Sequence, residues 1–570
     1  MSATDTPMPQ IMELLRQGQL APAEQLLRQR LAAGAADATT LLLLGQVLIQ
    51  TRRSVDAIEP LTRARAADPN LADVPLWLGI ACDKLADTRA ATAHLADALR
   101  LLEGQPQGLS IAGQVLLAND RPREAIACLD QVRLAAGDQP ELVRALGIAY
   151  QALRQEDRIL ESLDTLARQR PDDPAVLRQR TSLFERMGDL DRARAEAEKL
   201  LAIRPHDPVG TVTLAKIERS DKDPDRALER LRAAEPHASP GARADLKIEA
   251  AHALDALGRY DEAWNLMVEG QALWAELPAV KRYDPESYLR WVRSGPQWLT
   301  PERIAAFDHP PADREPPIFF VGFPRSGTTL TEQILGAHPD LATSDERSLM
   351  WRAMEAIRLR ILPGSQYPES MGLLDAEGVH AARDEYWAFT EDQLGATELR
   401  GKRLVDKRPL ATWTLPMVRR LFPDSPVLFA LRDPRDVVLS GFFQRFNPNH
   451  GMAHFASIES TVRLYDAVMD GWLRMRDMLG MRILETRYES LVHDVEAHAR
   501  KLIEFLGLPW SDEVLDFQRE HKTRFVSTPS YAAVLKPVST RAIGRWKNYA
   551  KQLEPVLPTL ERYVKEFGYE

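Results

Sequence analysis

The stretch Pro317-Ile318-Phe319-Phe320-Val321-Gly322-Phe323-Pro324-Arg325-Ser326-Gly327-Thr328-Thr329-Leu330 decides how this chain is read. Its first half is continuously apolar, the pattern of a parallel strand covered on both faces. A loop bounded by Gly322 and Gly327 follows, and Thr329 to Ala337 carries a helical pattern. A strand, a glycine-bounded loop and a helix start aim backbone N–H groups and the positive helix end at one spot, which is how a chain holds phosphate. The spacing fits G-x-x-x-x-G-K-[ST] except that Thr328 stands in the lysine position. A nucleoside triphosphate needs that lysine at its β- and γ-phosphates and the next hydroxyl on Mg²⁺. Without the lysine, the loop suits a donor with a single 5′-phosphate and a small transferable group.

Pro324-Arg325-Ser326-Gly327-Thr328-Thr329-Leu330 resembles the 5′-phosphosulfate loop of sulfotransferases, and within them most closely the tyrosylprotein sulfotransferase branch. The resemblance implies an α/β, P-loop-like sulfotransferase domain with a central parallel sheet over residues 317–570. It also implies 3′-phosphoadenosine 5′-phosphosulfate (PAPS) as co-substrate. Arg325 is then a mobile charge beside the sulfonate, and Ser326, Gly327, Thr328 and Thr329 surround the 5′-phosphate. The run is read as exposed, since an Arg-Ser-Gly-Thr-Thr sequence has no packing purpose of its own.

Further motifs follow in order. In His338-Pro339-Asp340-Leu341-Ala342-Thr343-Ser344-Asp345-Glu346-Arg347 the family's catalytic base falls on Glu346, with Asp345 as the competing carboxylate. The chemistry asks for such a group: a phenol of pKa about 10 attacks poorly while protonated, and a nearby carboxylate removes its proton. His338, before Pro339, is read as a turn or packing residue. In Lys402-Arg403-Leu404-Val405-Asp406-Lys407-Arg408-Pro409 the resemblance places Lys407 at the bridging oxygen and sulfonate, supplying from another strand end the charge that Thr328 lacks. The expected catalytic set is Glu346, Arg325 and Lys407.

Pro426 to Leu431 reads as a second buried strand leading into Arg432-Asp433-Pro434-Arg435-Asp436-Val437-Val438-Leu439-Ser440. Arg432 and Ser440 match the family's 3′-phosphate pair, and a planar guanidinium plus a hydroxyl is a sensible phosphate receptor. Arg435 and Asp436 are read as structural pairs. A third strand-like piece, from Arg482, ends at Tyr488, which matches a tyrosine near the adenine and 3′-phosphate. Ser530, Lys536 and Arg545 keep the family spacing of a basic loop over the nucleotide, with Arg545 replacing a lysine of the animal enzymes. No metal is called for. Residues 350–400 yield no site, and their scattered Arg352, Arg383 and acids read as a solvated surface.

The first half of the chain is periodic. Gly45, Gly79, Gly113 and Gly147 recur every 34 residues. Ala57, Ala91 and Ala125 follow the same period 12 residues later, and Pro69, Pro171 and Pro205 lie on the grid after that. Small residues where two helices cross, and a proline after the second helix, describe a two-helix unit that buries its apolar face only by stacking. The period resembles tetratricopeptide repeats. About eight units are expected over residues 7–272, an α-solenoid, with a proline-rich connector at 273–316.

The 570 residues carry a formal charge of −9, which disfavours general nucleic-acid binding and demands a local basic pocket for any anion. Two cysteines, Cys82 and Cys128, build neither a disulfide framework nor a thiolate metal site. No apolar run reaches bilayer-spanning length and no secretory leader is recognisable, so a cytoplasmic, bacterial relative of the anchored animal enzymes is expected, with no membrane partner. The reading is therefore a PAPS-dependent sulfotransferase acting on a hydroxyl, by resemblance a tyrosine in a peptide or protein that the repeat groove recruits. Carbohydrate or small-molecule hydroxyls are the alternative within that chemistry, and a nucleotide-sensing adaptor is the alternative outside it. A homodimer is left open.

Overall fold

Sixteen helices run in pairs from Met8–Arg16 and Leu20–Ala32 to Pro240–Ala256 and Tyr260–Ala275. They belong to a computed structural model that describes residues 8–517 and 538–569. The glycine grid has a direct steric cause. A Cβ on Gly45, Gly79 or Gly113 would lie 2.5, 2.6 or 2.7 Å from Leu61, Leu95 or Leu129, the leucine 16 residues on in the second helix of each pair. At Gly147 the same atom meets nothing nearer than the Ser162 Cβ at 3.7 Å, so that crossing is relaxed. The grid alanines Ala57, Ala91 and Ala125 are fully buried.

The chain divides into two compact units. One comprises Met1–Gln169, Leu349–Gln366 and Glu377–Gln393, and the other Arg170–Ser348, Tyr367–Ala376 and Leu394–Glu570. The division thus falls inside the helix-pair series, after Gln169. In the first unit the segments around Arg352 and Glu385 correct the expected solvated surface. Arg352, Arg383 and Glu385 are buried. The Arg352 guanidinium binds Glu385 at 2.8 Å and Asp83 at 3.1 Å. Thr88 donates its hydroxyl to Glu385 at 2.6 Å. Charges at such density are tolerated only because each one is paired.

The second unit holds a five-stranded, all-parallel sheet in the order β2-β3-β1-β4-β5. The strands are β1 Ile318–Gly322, β2 Leu341–Thr343, β3 Arg403–Lys407, β4 Val427–Leu431 and β5 Ile483–Arg487. Strands β1 and β4 are buried throughout, as their unbroken apolar runs require. One face packs Phe320, Leu428 and Ala430 against Ile334, Leu335, Leu502 and Leu506. On β4, Phe429 stacks on Trp472 with ring centroids 3.8 Å apart. The three-residue β2 had no strand signature in the sequence; it is an edge strand fixed by pairing with Arg403 to Val405. The chain leaves β1 to one side for β2 and β3, then returns to the other for β4 and β5. That switch point at the carboxyl edge is where parallel α/β sheets bind ligands.

Candidate active site

Five strand ends converge at the carboxyl edge. After β1, the loop from Phe323 turns through Arg325 (φ 74°) and Gly327 (φ 86°) into the helix Thr328–Gly336. Gly327 cannot be replaced without strain: besides its left-handed backbone, a Cβ there would sit 2.8 Å from the Tyr488 ring at the end of β5. A Cβ on Gly322 would lie 2.8 Å from the Ala430 carbonyl oxygen of β4. The loop is therefore wedged between two neighbouring strand ends. Contrary to the expected exposure, Ser326, Thr328 and Thr329 are buried and Arg325 half-buried. Among the described residues the buried Ser326 hydroxyl has no hydrogen-bond partner. A buried hydroxyl without a partner is costly unless a ligand supplies one. Together with the first-turn amides of a helix, it fits a phosphate.

Arg432, just past β4, crosses to this loop. Its guanidinium donates to the Arg325 carbonyl at 3.0 Å and to the Ala542 carbonyl at 2.6 Å. It also lies over the Tyr488 ring, 4.4 Å from the centroid. Its buried Nε has no partner among the described residues, which makes it a second donor suited to an anion. Arg325 in turn donates from Nε to the Ser440 hydroxyl at 3.1 Å. Arg325, Arg432, Ser440 and Tyr488, scattered over 164 positions of sequence, thus form one connected group. Burial, and then the charge of Arg432, push the Arg325 guanidinium down to about 10, so it stays cationic at neutral pH.

On the other side of β1, Lys407 ends β3 fully buried. Its ammonium binds Glu346 at 2.6 Å and Glu332 at 2.8 Å. Burial alone would pull this lysine down, but Glu332, Glu346 and Asp345 more than reverse that and raise it above an ordinary lysine. Glu346 is about one-third exposed and lies in a turn where both Asp345 (φ 48°) and Glu346 (φ 63°) are left-handed. Ser344, fully buried, fixes the base of this turn by accepting the Lys407 N–H at 2.9 Å. Sequence reasoning missed Glu332. It lies on the helix after the loop, flanked by Thr331 and Gln333 and one turn on from Thr328, so no local pattern set it apart.

Arg545 is not joined to the loop. It pairs with Asp255 of the last repeat at 3.0 Å and lies over the Phe443 ring at 4.9 Å. It is close enough that its charge helps depress Arg325. The segment around it is held by Asp436, which accepts the N–H groups of Gly544 at 2.6 Å and Trp546 at 2.8 Å. Arg435 pairs with Asp433 at 2.8 Å and stacks on Trp546. His338 is structural, with one ring nitrogen on the Pro509 carbonyl at 2.8 Å and the other accepting the Asp340 N–H. Ser530 and Lys536 lie outside the described residues.

Residues 316–512 match the model of the sulfotransferase family. A protein-tyrosine sulfotransferase of Drosophila melanogaster is 29% identical over 262 residues, which is 44% of this chain and 50% of that protein. The chain joins a tetratricopeptide-type repeat array to a sulfotransferase-family domain. Protein-tyrosine sulfotransferase A of Caenorhabditis elegans is 27% identical over 274 residues, 45% of this chain and 67% of its own. A protein of Aquifex aeolicus is 26% identical over 428 residues, covering 73% of this chain and 54% of its own. The chain spans about half the length of the Aquifex and Drosophila relatives. Among solved structures, the sulfotransferase domain from the curacin biosynthetic pathway is similar at 19% identity and TM-score 0.25, covering 42% of this chain and 99% of that one. A tetratricopeptide repeat protein from Parabacteroides merdae is similar at 16% and 0.29, covering 44% and 99%. At those scores the sulfotransferase and repeat folds rest on the chain's own elements. Among the described residues no helix is long and apolar enough to cross a membrane, and no cluster of three His, Cys, Asp or Glu is placed for a metal.

Proposed function

We propose that this protein is a PAPS-dependent sulfotransferase whose acceptor is a hydroxyl, in the first instance a tyrosine in a peptide or protein. The observation that carries the reading is the Glu346–Lys407 pair at 2.6 Å, set at the same sheet edge as a phosphate-type loop with a buried hydroxyl that has no partner among the described residues. The amides of Gly327 to Thr329 and the Ser326 hydroxyl would hold the donor's 5′-phosphate, and Arg432 with Ser440 its 3′-phosphate. The donor supplies a sulfonate, whose bond to the phosphate oxygen breaks as its bond to the acceptor oxygen forms.

Glu346 takes the acceptor's proton, in a partly exposed position that a macromolecular hydroxyl can reach. Lys407 and Arg325 offset the charge that moves onto the leaving phosphate, the role that fixed cations fill best in a water-poor site. Arg325 turns from Ser440 to do so. The left-handed turn at Asp345 and Glu346 is a strained device of the kind found where a side chain must be aimed. The repeats would present the acceptor, and a cytoplasmic setting is part of the same proposal.

The test is to incubate the protein with ³⁵S-labelled PAPS and acidic tyrosine-containing peptides. Transfer is expected, and Glu346→Ala should lower kcat by about 10²–10⁴-fold. A nucleotide-sensing adaptor would bind PAPS and transfer nothing. Transfer to saccharides but not to tyrosine would move the acceptor to the other hydroxyl class.

A further inference from the structure

Glu332 is a buried acid that the mechanism above does not use. One of its oxygens lies 2.8 Å from the Lys407 ammonium, and the other accepts the Asp345 N–H at 3.1 Å. That places a single carboxylate between the lysine at the end of β3 and the first residue of the left-handed turn that carries Glu346. We propose that Glu332 is a positioning residue for sulfotransfer, anchoring Lys407 and the Asp345–Glu346 turn to the phosphate-loop helix so that the lysine keeps its place when Glu346 releases it. The inference rests on the sulfotransferase reading.

The geometry divides the labour between two acids. Lys407 is shared between a deep carboxylate, Glu332 at 6% exposure, and a shallower one, Glu346. When Glu346 accepts the acceptor's proton it becomes neutral and its hold on the ammonium weakens. Glu332 then carries the lysine alone, at the point where positive charge must stay fixed beside the leaving oxygen. The same carboxylate braces the turn: two consecutive non-glycine residues at positive φ are unfavourable, and the Asp345 N–H bond to Glu332 is one tie that holds them.

The charged groups facing Glu332 are Lys407 from β3, and Asp345 and Glu346 from the turn. Burial pushes its carboxyl above the ordinary carboxylate range, against the opposing pull of Lys407 and with the aid of the two neighbouring acids. Glu332 therefore takes up a proton at a higher pH than an ordinary carboxylate, which loosens Lys407 and contributes to the acid limb of kcat.

The test compares wild type and E332Q for adenosine 3′,5′-bisphosphate binding, kcat, KM for a tyrosine peptide, and the pH profile. E332Q keeps the shape and the acceptor for Asp345. It is expected to bind the bisphosphate as wild type does, to lose kcat by about 10- to 100-fold with KM little changed, and to shift the acid limb of kcat. E332D should keep that limb. If E332Q matches wild type in kcat and pH profile, or only weakens bisphosphate binding without moving the profile, the positioning role is overturned while the sulfotransferase reading stands. If wild type neither binds the bisphosphate nor transfers sulfonate, the sulfotransferase reading fails and takes the role with it. Should E332Q not fold, E332D is the second variant: a kcat lowered by about 10-fold or more with KM and bisphosphate affinity unchanged supports the role, and wild-type kcat overturns it.

Discussion

Asp345 and Glu346 adopt backbone conformations that cost on the order of 1–2 kcal/mol per residue, and Lys407 is a fully buried ammonium. Neither would persist unless surrounding groups over-determined it, which is what Glu332 and Ser344 do. Arg432 is over-determined in the same way, with two carbonyls and an aromatic ring around its fork. Arg432→Ala should weaken adenosine 3′,5′-bisphosphate by about 10–100-fold, the worth of a charge-assisted phosphate contact, and adenosine 5′-phosphate by less. Isothermal titration with both nucleotides reads the difference, and equal losses would remove Arg432 from the 3′-phosphate. Part of this site was legible: Arg432 follows the unbroken apolar run of β4, whereas Arg325, in the loop beyond β1, and Lys407, after Arg403-Leu404-Val405-Asp406, were read by resemblance to the sulfotransferase motifs. Glu332 was not, since its partners lie on other elements that only the sheet brings near.

At the scale of the element, the 34-residue glycine grid looks uniform in sequence and is not uniform in packing. Gly79→Ala would press a methyl against Leu95 and the Ala91 carbonyl and should cost about 1–3 kcal/mol. Gly147→Ala meets only ordinary contact and should gain up to about 1 kcal/mol from helix propensity. Urea titrations of the two variants should shift in opposite directions.

His498 offers a pH test on the helix Val495–Leu506, where it is buried beside the Thr486 hydroxyl at 2.7 Å. Burial, with Lys501 adding to it, pushes its pKa down to about 4. A depressed histidine contributes stability that is complete above its unfolded value near 6.5 and is lost as pH falls towards 4. The loss should reach about 2 kcal/mol by pH 5. His498→Gln should flatten that part of the Tm-versus-pH curve, and an unchanged slope would show that other groups set it.

Across the whole molecule, the segments 349–366 and 377–393 belong by contact to the same unit as the first repeats rather than to the residues on either side of them in sequence. Their anchor is a buried ionic cluster around Glu385, Arg352, Asp83 and Thr88. Glu385→Ala would leave the Arg352 guanidinium short of a buried partner and should destabilise the chain by about 3–5 kcal/mol. Glu385→Gln, which keeps the hydrogen bonds but not the charge, should cost less. Chemical denaturation of both variants measures this, and two near-neutral results would mean that water reaches the cluster.

The sequence by itself determined the periodic array and the phosphate-type loop, and resemblance to the sulfotransferase motifs singled out Arg325, Lys407 and Arg432. Helix period, glycine spacing and unbroken apolar runs are local properties, written in residues that lie close together along the chain. Only the tertiary structure decided that Glu332 shares Lys407, that Arg545 is taken up by Asp255, that the loop hydroxyls are buried and that Arg352 is a core residue. Each of these depends on which charges meet after burial. A charged side chain is mostly solvated in the unfolded chain, and its partner is chosen by packing between segments tens to hundreds of residues apart, which no local pattern records.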